Sequence, residues 1–202
     1  MKCSIIIAVL DSHEIFRRQL LHLSRILSQN WEVIVVDDGS EPPLRYHNRL
    51  PFPFRLLYTH DQRPWTQDKA RNMGATAARG EYLLMLDIDH VVTRKVVANV
   101  NRFRGDMLKF ARRVGELDDE GRLRGRGRAV RVAPNIFAIR KALFEQMGGY
   151  VETAGIYGTD RHLQETYRQF VKHRRAKSAE IGETLYVITD PKWFHKLSRK
   201  LR

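Results

Sequence analysis

Tyr82-Leu83-Leu84-Met85-Leu86-Asp87-Ile88-Asp89 is the stretch on which the fold turns. Residues 82–86 are apolar without alternation, the pattern of a strand covered on both faces. The run stops at two carboxylates separated by one residue. Acids at the end of a buried strand are costly unless something cationic meets them. The spacing brings the outer oxygens of Asp87 and Asp89 within reach of one hard divalent cation. Mg²⁺ and Mn²⁺ take such ligands and keep phosphate oxygens as others. Taken alone, the pair also reads as two solvated loop acids, so its surroundings have to decide.

Upstream, residues 4–9 form an apolar, β-branched run that predicts a first buried strand. Asp11 and Ser12 follow as helix caps, with Glu14 three after Asp11 as in a capping box. Phe16, Leu20, Leu23 and Leu27 then recur at helical spacing. Residues 31–36 predict a second buried strand, stopped by Asp37-Asp38-Gly39-Ser40; prolines 42, 43, 51 and 53 mark a loop; residues 54–58 predict a third. Residues 67–78 predict a helix closed by Gly80. Strands and helices in this order predict a mostly parallel α/β sheet covered by helices on both faces. Downstream, residues 107–114 and 130–139 read as strands around the polar turn 118–121. Residues 141–147 read as a short helix ending at Gly148-Gly149, 160–175 as a longer one, and 185–188 as a last strand.

The chain has 202 residues, enough for one domain with a real core, and 43% of them are hydrophobic and 29% charged, as in a water-soluble globular protein. The longest apolar stretch, residues 5–10, is far too short to span a bilayer, and with no small-residue cleavage site after it the expectation is no signal peptide. A single cysteine, Cys3, excludes an intrachain disulfide and a cysteine-based zinc site, which fits a cytoplasmic setting. Thirty-six Lys and Arg against 23 Asp and Glu give a formal charge of +13. The bases concentrate in the second half: Arg122, Arg124, Arg126, Arg128 and Arg131 form one cluster, and Arg174 and Arg175 lie in a second basic segment. Such a surplus points to a polyanionic partner, a nucleic acid or an anionic membrane surface, although ordinary solubility charge is the simpler reading. The tail 191–202 is basic and amphipathic, carrying Trp193, Phe194, Leu197 and Leu201.

Ser4-Ile5-Ile6-Ile7, Val35-Val36-Asp37-Asp38-Gly39-Ser40, Ala70-Arg71-Asn72-Met73-Gly74, Asp87-Ile88-Asp89 and Gly148-Gly149-Tyr150 follow one another at characteristic distances. In order and spacing they resemble the family 2 glycosyltransferases of the GT-A fold, over about residues 4–165. The resemblance implies a GT-A (Rossmann-like) sheet, a nucleotide-diphosphate sugar donor, most simply UDP-linked, a Mn²⁺ or Mg²⁺ ion and an acidic catalytic base. It implies donor contacts from Ala8, Asp11, Asp37, Asp38, Arg71, Asp87 and Ile88. Residues about 1–92 would be the donor half and about 93–202 the acceptor half of a single domain.

Each residue type has a physical reason beside that resemblance. Asp37 and Asp38 stand at the carboxyl end of a strand, where open α/β sheets bind ligands, although one of them can serve merely as a turn cap with Gly39. Arg71 offers a planar fork to the nucleotide, or a surface ion pair. Asp87 and Asp89 would hold the metal, which offsets the charge of a leaving diphosphate. Asp160, at the predicted start of a helix, corresponds to the family's base. The residue before it is Thr159 rather than the usual acid, and an N-cap role competes. His195 resembles the third metal ligand of some members, or is simply exposed.

No Gln-x-x-Arg-Trp motif is present, so the chain does not resemble a processive polysaccharide synthase. Three roles follow. The first is inverting transfer to a hydroxyl of a glycan or lipid-linked glycan. The second is phage-type DNA modification on hydroxylated bases, with Arg124, Arg126, Arg128, Arg174 and Arg175 lining one basic face beside the donor crevice. The third is a non-catalytic basic module binding nucleic acid or membrane, against which the intact acids argue.

Overall fold

A computed structural model describes residues 1–124, 127–153, 155 and 160–188, with the backbone alone at 160. The first half runs β1 (Cys3–Val9), α1 (His13–Leu23), β2 (Trp31–Asp37), β3 (Phe54–Tyr58), α2 (Gln67–Ala77), β4 (Tyr82–Asp87) and β5 (His90–Val91). The second runs α3 (Arg94–Arg102), β6 (Met107–Leu117), β7 (Leu123–Arg124), β8 (Ala129–Val130), β9 (Phe137–Arg140), α4 (Lys141–Gln146), α5 (Asp160–Lys172) and β10 (Glu180–Ile188). The main sheet has the order β3-β2-β1-β4-β9-β6-β10-β5, with β3, β2, β1 and β4 mutually parallel.

The inner three of these strands, β2, β1 and β4, are almost wholly apolar and buried, as befits strands covered by helices on both faces, while β3 at the edge is partly buried. Ile5, Ile7 and Val33 pack with Phe16, Leu20 and Leu23 of α1 and with Val96 and Val100 of α3. Ile6, Ile34 and Val36 pack on the other face with Ala70 of α2, Phe144 of α4 and Leu163 and Tyr167 of α5. Gly74 lets α2 approach closely: a Cβ there would lie 2.5 Å from Ile6 Cγ2.

The register positions the site. Cys3 pairs with both Trp31 and Tyr82, and Ala8 with both Val36 and Asp87. The strands therefore end together, and the polar residues that stop them, Asp37 and Asp87, share one edge.

Several expectations are corrected. The capping box at α1 does not form: Ser12 makes no side-chain cap, Asp11 turns to another loop, and Glu14 pairs with Arg17 and Arg18. The expected strand 130–139 is two strands, β8 and β9, with Pro134 between them, because proline donates no ladder hydrogen bond. The last strand begins at Glu180. Helix α5 ends at Lys172, and Arg174 takes the left-handed conformation (φ 56°) that closes a helix. Helix α3, capped by Thr93 accepting from the Val96 amide, and the short β5 were not anticipated. Among the described residues no helix is long and apolar enough to cross a membrane.

Candidate active site

Strand β4 delivers Asp87 to the carboxyl edge of the sheet, and the turn after it is held from several sides. Gln19 of α1, itself buried, donates from Nε2 to the carbonyls of Ile88 (3.0 Å) and His90 (2.8 Å). The Ile188 amide donates to the Asp89 carbonyl at 2.8 Å. Asp89 is thus fixed by backbone bonds on either side of it, while its carboxylate stays about one-third exposed (34%).

Arg71 enters from α2. Its side chain is only 2% exposed, yet it meets Asp87 Oδ1 at 2.5 Å and Asp68 Oδ1 at 3.3 Å, with the Tyr150 ring 5.4 Å from the guanidinium carbon. Burial works against its charge; the nearby carboxylates outweigh it and raise the Arg71 pKa. The Gly148-Gly149-Tyr150 motif is carried onto α2 by Asn72. Its Oδ1 accepts from the Tyr150 amide (2.9 Å), and its Nδ2 donates to the Tyr150 carbonyl (2.9 Å) and to Glu152 Oε1 (2.8 Å). The Gly155 amide reaches the Pro64 carbonyl just ahead of the same helix.

Asp87, Asp89 and His90 form the one group among the described residues whose ligand atoms all lie within 4.8 Å of one another. Arg71 occupies Asp87 Oδ1, and His90 Nδ1 lies 2.6 Å from Asp89 Oδ1. The set is dominated by hard oxygens, which fits Mg²⁺ or Mn²⁺. On the far side of His90, Arg112 of β6 places NH1 2.9 Å from Nε2. Burial lowers the Arg112 pKa, and Asp89 and Asp87 counter it.

The acids of the β2 edge divide their roles. Asp37 accepts from the Ser40 amide (2.8 Å) and the Leu44 amide (2.7 Å), so both its oxygens hold the loop. Asp38 accepts from Thr66 (2.9 Å) and Thr59 (3.2 Å) hydroxyls. Asp11, at φ 49°, accepts from the Glu41 amide and joins the loops after β1 and β2. Ala8 sits between Val36 and Asp87 in register, and Ile88 is buried beneath the turn. A cavity of about 320 Å³ opens along this edge, lined by Asp37, Gly39, Ser40, Leu44, Tyr58 and His60 among others.

The described arginines of the two basic segments attach at different points along β6. Arg124 pairs with Glu116 in the β6–β7 ladder and Arg128 binds through its carbonyl to the Val114 amide, both toward the end of β6. Arg174 and Arg175 precede Lys177, whose amide binds Asp106 at the start of β6. At the rise of an extended strand the attachment points Asp106 and Glu116 are about 30 Å apart along β6. Arg124 is moreover paired with Asp118. Asp160 begins α5, but its side chain lies outside the described residues, as do Arg126, His195 and the tail residues Trp193, Phe194, Leu197 and Leu201.

The sequence reading missed His90, Arg112, Asn72 and Gln19. Asn72 stood inside a quoted motif, and a polar residue beside Arg71 on a helix packed against the sheet was the available signal. His90 had only its position after Asp89.

The sequence model described as Glycosyl transferase family 2 matches residues 4–160. The chain belongs to glycosyltransferase family 2. This family 2 chain is 26% identical over 102 residues to the glycosyltransferase GlyG of Streptococcus pneumoniae serotype 4, a match covering 46% of the chain and 32% of GlyG. Its fold is that of S. aureus TarS 1-349 (TM-score 0.62, 21% identity), covering 98% of the chain and 64% of that structure. TarS 1-349 in complex with UDP-GlcNAc superimposes with a TM-score of 0.64 at 19% identity, over 94% of the chain and 59% of that structure. The chain thus spans about a third of GlyG and less than two thirds of TarS 1-349. The likeness to TarS establishes the GT-A architecture, a mainly parallel sheet between helices.

Proposed function

We propose that this chain transfers a sugar, with inversion, from a UDP-linked donor to a hydroxyl of a glycan or lipid-linked glycan. The observation that carries the reading is the pairing of buried Arg71 with the partly exposed Asp87 beside Asp89, set at the common end of parallel strands. TarS, a neighbour in fold, has been solved with UDP and with UDP-GlcNAc, which supports a uridine diphosphate sugar as donor.

In this reading residues about 1–92 hold the donor and about 93–202 the acceptor. Asp38 and the edge of β2 face the nucleoside, and Arg71 holds Asp87 in place by donating to its Oδ1. Asp87 and Asp89 would hold Mn²⁺ or Mg²⁺, which offsets the charge of the departing diphosphate. Asp160, at the start of α5, removes the acceptor proton as its oxygen bonds to the anomeric carbon, and the electron pair of the broken bond leaves with the diphosphate. The dipole of α5 favours the ionised carboxylate this needs. The attachment of the two arginine groups at different points along β6 favours a carbohydrate hydroxyl over a DNA acceptor in this reading.

The test is a screen of UDP-sugar hydrolysis and transfer with and without Mn²⁺. Asp89→Ala should lose metal-dependent UDP binding by calorimetry while keeping its fold. Asp160→Asn should keep donor affinity and lose turnover by about 10²–10⁴-fold, the usual contribution of a positioned base. A folded Asp89→Ala with unchanged UDP affinity in Mn²⁺ would sink the metal assignment, and near-normal turnover in Asp160→Asn would move the base elsewhere.

A further inference from the structure

His90 stands where a third metal ligand is expected, directly beside the two acids, but its hydrogen bonds assign it another task. Arginine has no acceptor atom, so the 2.9 Å contact between Arg112 NH1 and His90 Nε2 makes Nε2 an acceptor. Its proton therefore sits on Nδ1, which donates to Asp89 Oδ1 at 2.6 Å. Neither ring nitrogen retains a lone pair for a cation. The ring is 3% exposed and lies in β5, which pairs with β10, so it has little freedom to turn. Arg112 is fixed in its turn: Nε donates to the Arg131 carbonyl at 2.7 Å, and NH2 donates to the same oxygen. The sequence Arg131 carbonyl, Arg112, His90, Asp89 is a continuous chain of donors and acceptors that runs from the segment after β8 to the acidic turn.

We infer that His90 is a positioning residue: Arg112 fixes its tautomer, and its Nδ1–H holds Asp89 Oδ1, which orients the carboxylate that would bind the cation. The inference rests on the metal reading above. Outer partners of this kind orient a ligating carboxylate, and their loss typically lowers metal affinity about 10–100-fold.

The experiment measures Mn²⁺ affinity by electron paramagnetic resonance at saturating UDP, with thermal melting in EDTA as a control of fold. The variants are His90→Phe, which keeps the ring's shape without donors, His90→Asn, whose amide nitrogen overlays Nδ1, and Asp89→Ala. His90→Phe should weaken Mn²⁺ binding 10–100-fold with little change in melting, His90→Asn should recover most of it, and Asp89→Ala should abolish it. Pulsed resonance on the Mn²⁺-loaded wild type should lack the coupling of a directly bound imidazole nitrogen, and this measurement stands even where a variant fails to fold. Wild-type affinity in His90→Phe, no recovery in a folded His90→Asn, or a directly bound nitrogen would overturn the inference. Undiminished Mn²⁺ binding in Asp89→Ala, or none in wild type, would overturn the metal reading itself.

Discussion

Arg71 holds a full charge in a place water barely reaches. A buried guanidinium is tolerated only when carboxylates replace its hydration, and here Asp68 and Asp87 do so from α2 and β4. Removing the cation takes a salt-bridge partner from Asp68, whose side chain is equally buried, and from Asp87. Arg71→Met should therefore cost about 3–5 kcal/mol of stability, read from the midpoint of urea unfolding. Asp87→Asn, which leaves Arg71 one carboxylate, should cost less, and equal losses would show that Asp68 contributes little. At this scale the sequence disclosed what a strand end can disclose. Asp87 and Asp89 stood out because a continuous apolar run stops at them. Asn72 and His90 did not, because their roles depend on Tyr150 and Arg112, remote in sequence and adjacent only in the fold.

Among the elements, α2 does most to assemble the site. Its face toward the sheet carries Ala70 and Gly74, and the close approach this permits brings Arg71 to Asp87. A methyl group at 74 would overlap Ile6 Cγ2, and the adjustment of an overpacked core typically costs about 1–3 kcal/mol. Gly74→Ala should lower the unfolding midpoint by that amount and reduce UDP affinity together with it. The same helix tethers the loop after α4 through Asn72. Asn72→Ala leaves the Tyr150 amide and carbonyl without that partner. Protease cleavage between 148 and 155 should then accelerate, with a global loss of about 1–3 kcal/mol. An unchanged cleavage pattern would show the loop to be held elsewhere. Elements with full apolar faces were legible in the sequence. Helix α3 was not, because it buries only Val96 and Val100 among polar neighbours. The pairing of β10 beside β6 was equally hidden, since only long-range register sets it.

For the molecule as a whole, the formal charge is +13, and the described arginines of the two basic segments attach at different points along β6. Arg124 and Arg128 attach toward one end of β6 and Arg174 and Arg175 near the other, and a duplex is expected to engage one pair at a time. Duplex DNA should bind only in the non-specific range, with dissociation constants of about 10⁻⁴–10⁻⁶ M at physiological salt. Replacing either arginine pair with serine should lower the salt slope by a similar modest amount in titrations. Tight, steeply salt-dependent binding abolished by one pair alone would restore a nucleic-acid acceptor. The common register of β1, β2 and β4 has a further consequence, for how such a chain tolerates changes in length. Cys3, Trp31 and Tyr82 form a shared starting line, and each strand spends a fixed number of residues before its polar stop. An extra residue inside β4 would slide Asp87 by about 3.3 Å and turn it to the opposite face, away from Arg71. The same residue added at the exposed loop positions 47–49 would disturb no pairing. Insertions and deletions should accordingly collect between the strands, while the strand lengths behave as a molecular ruler.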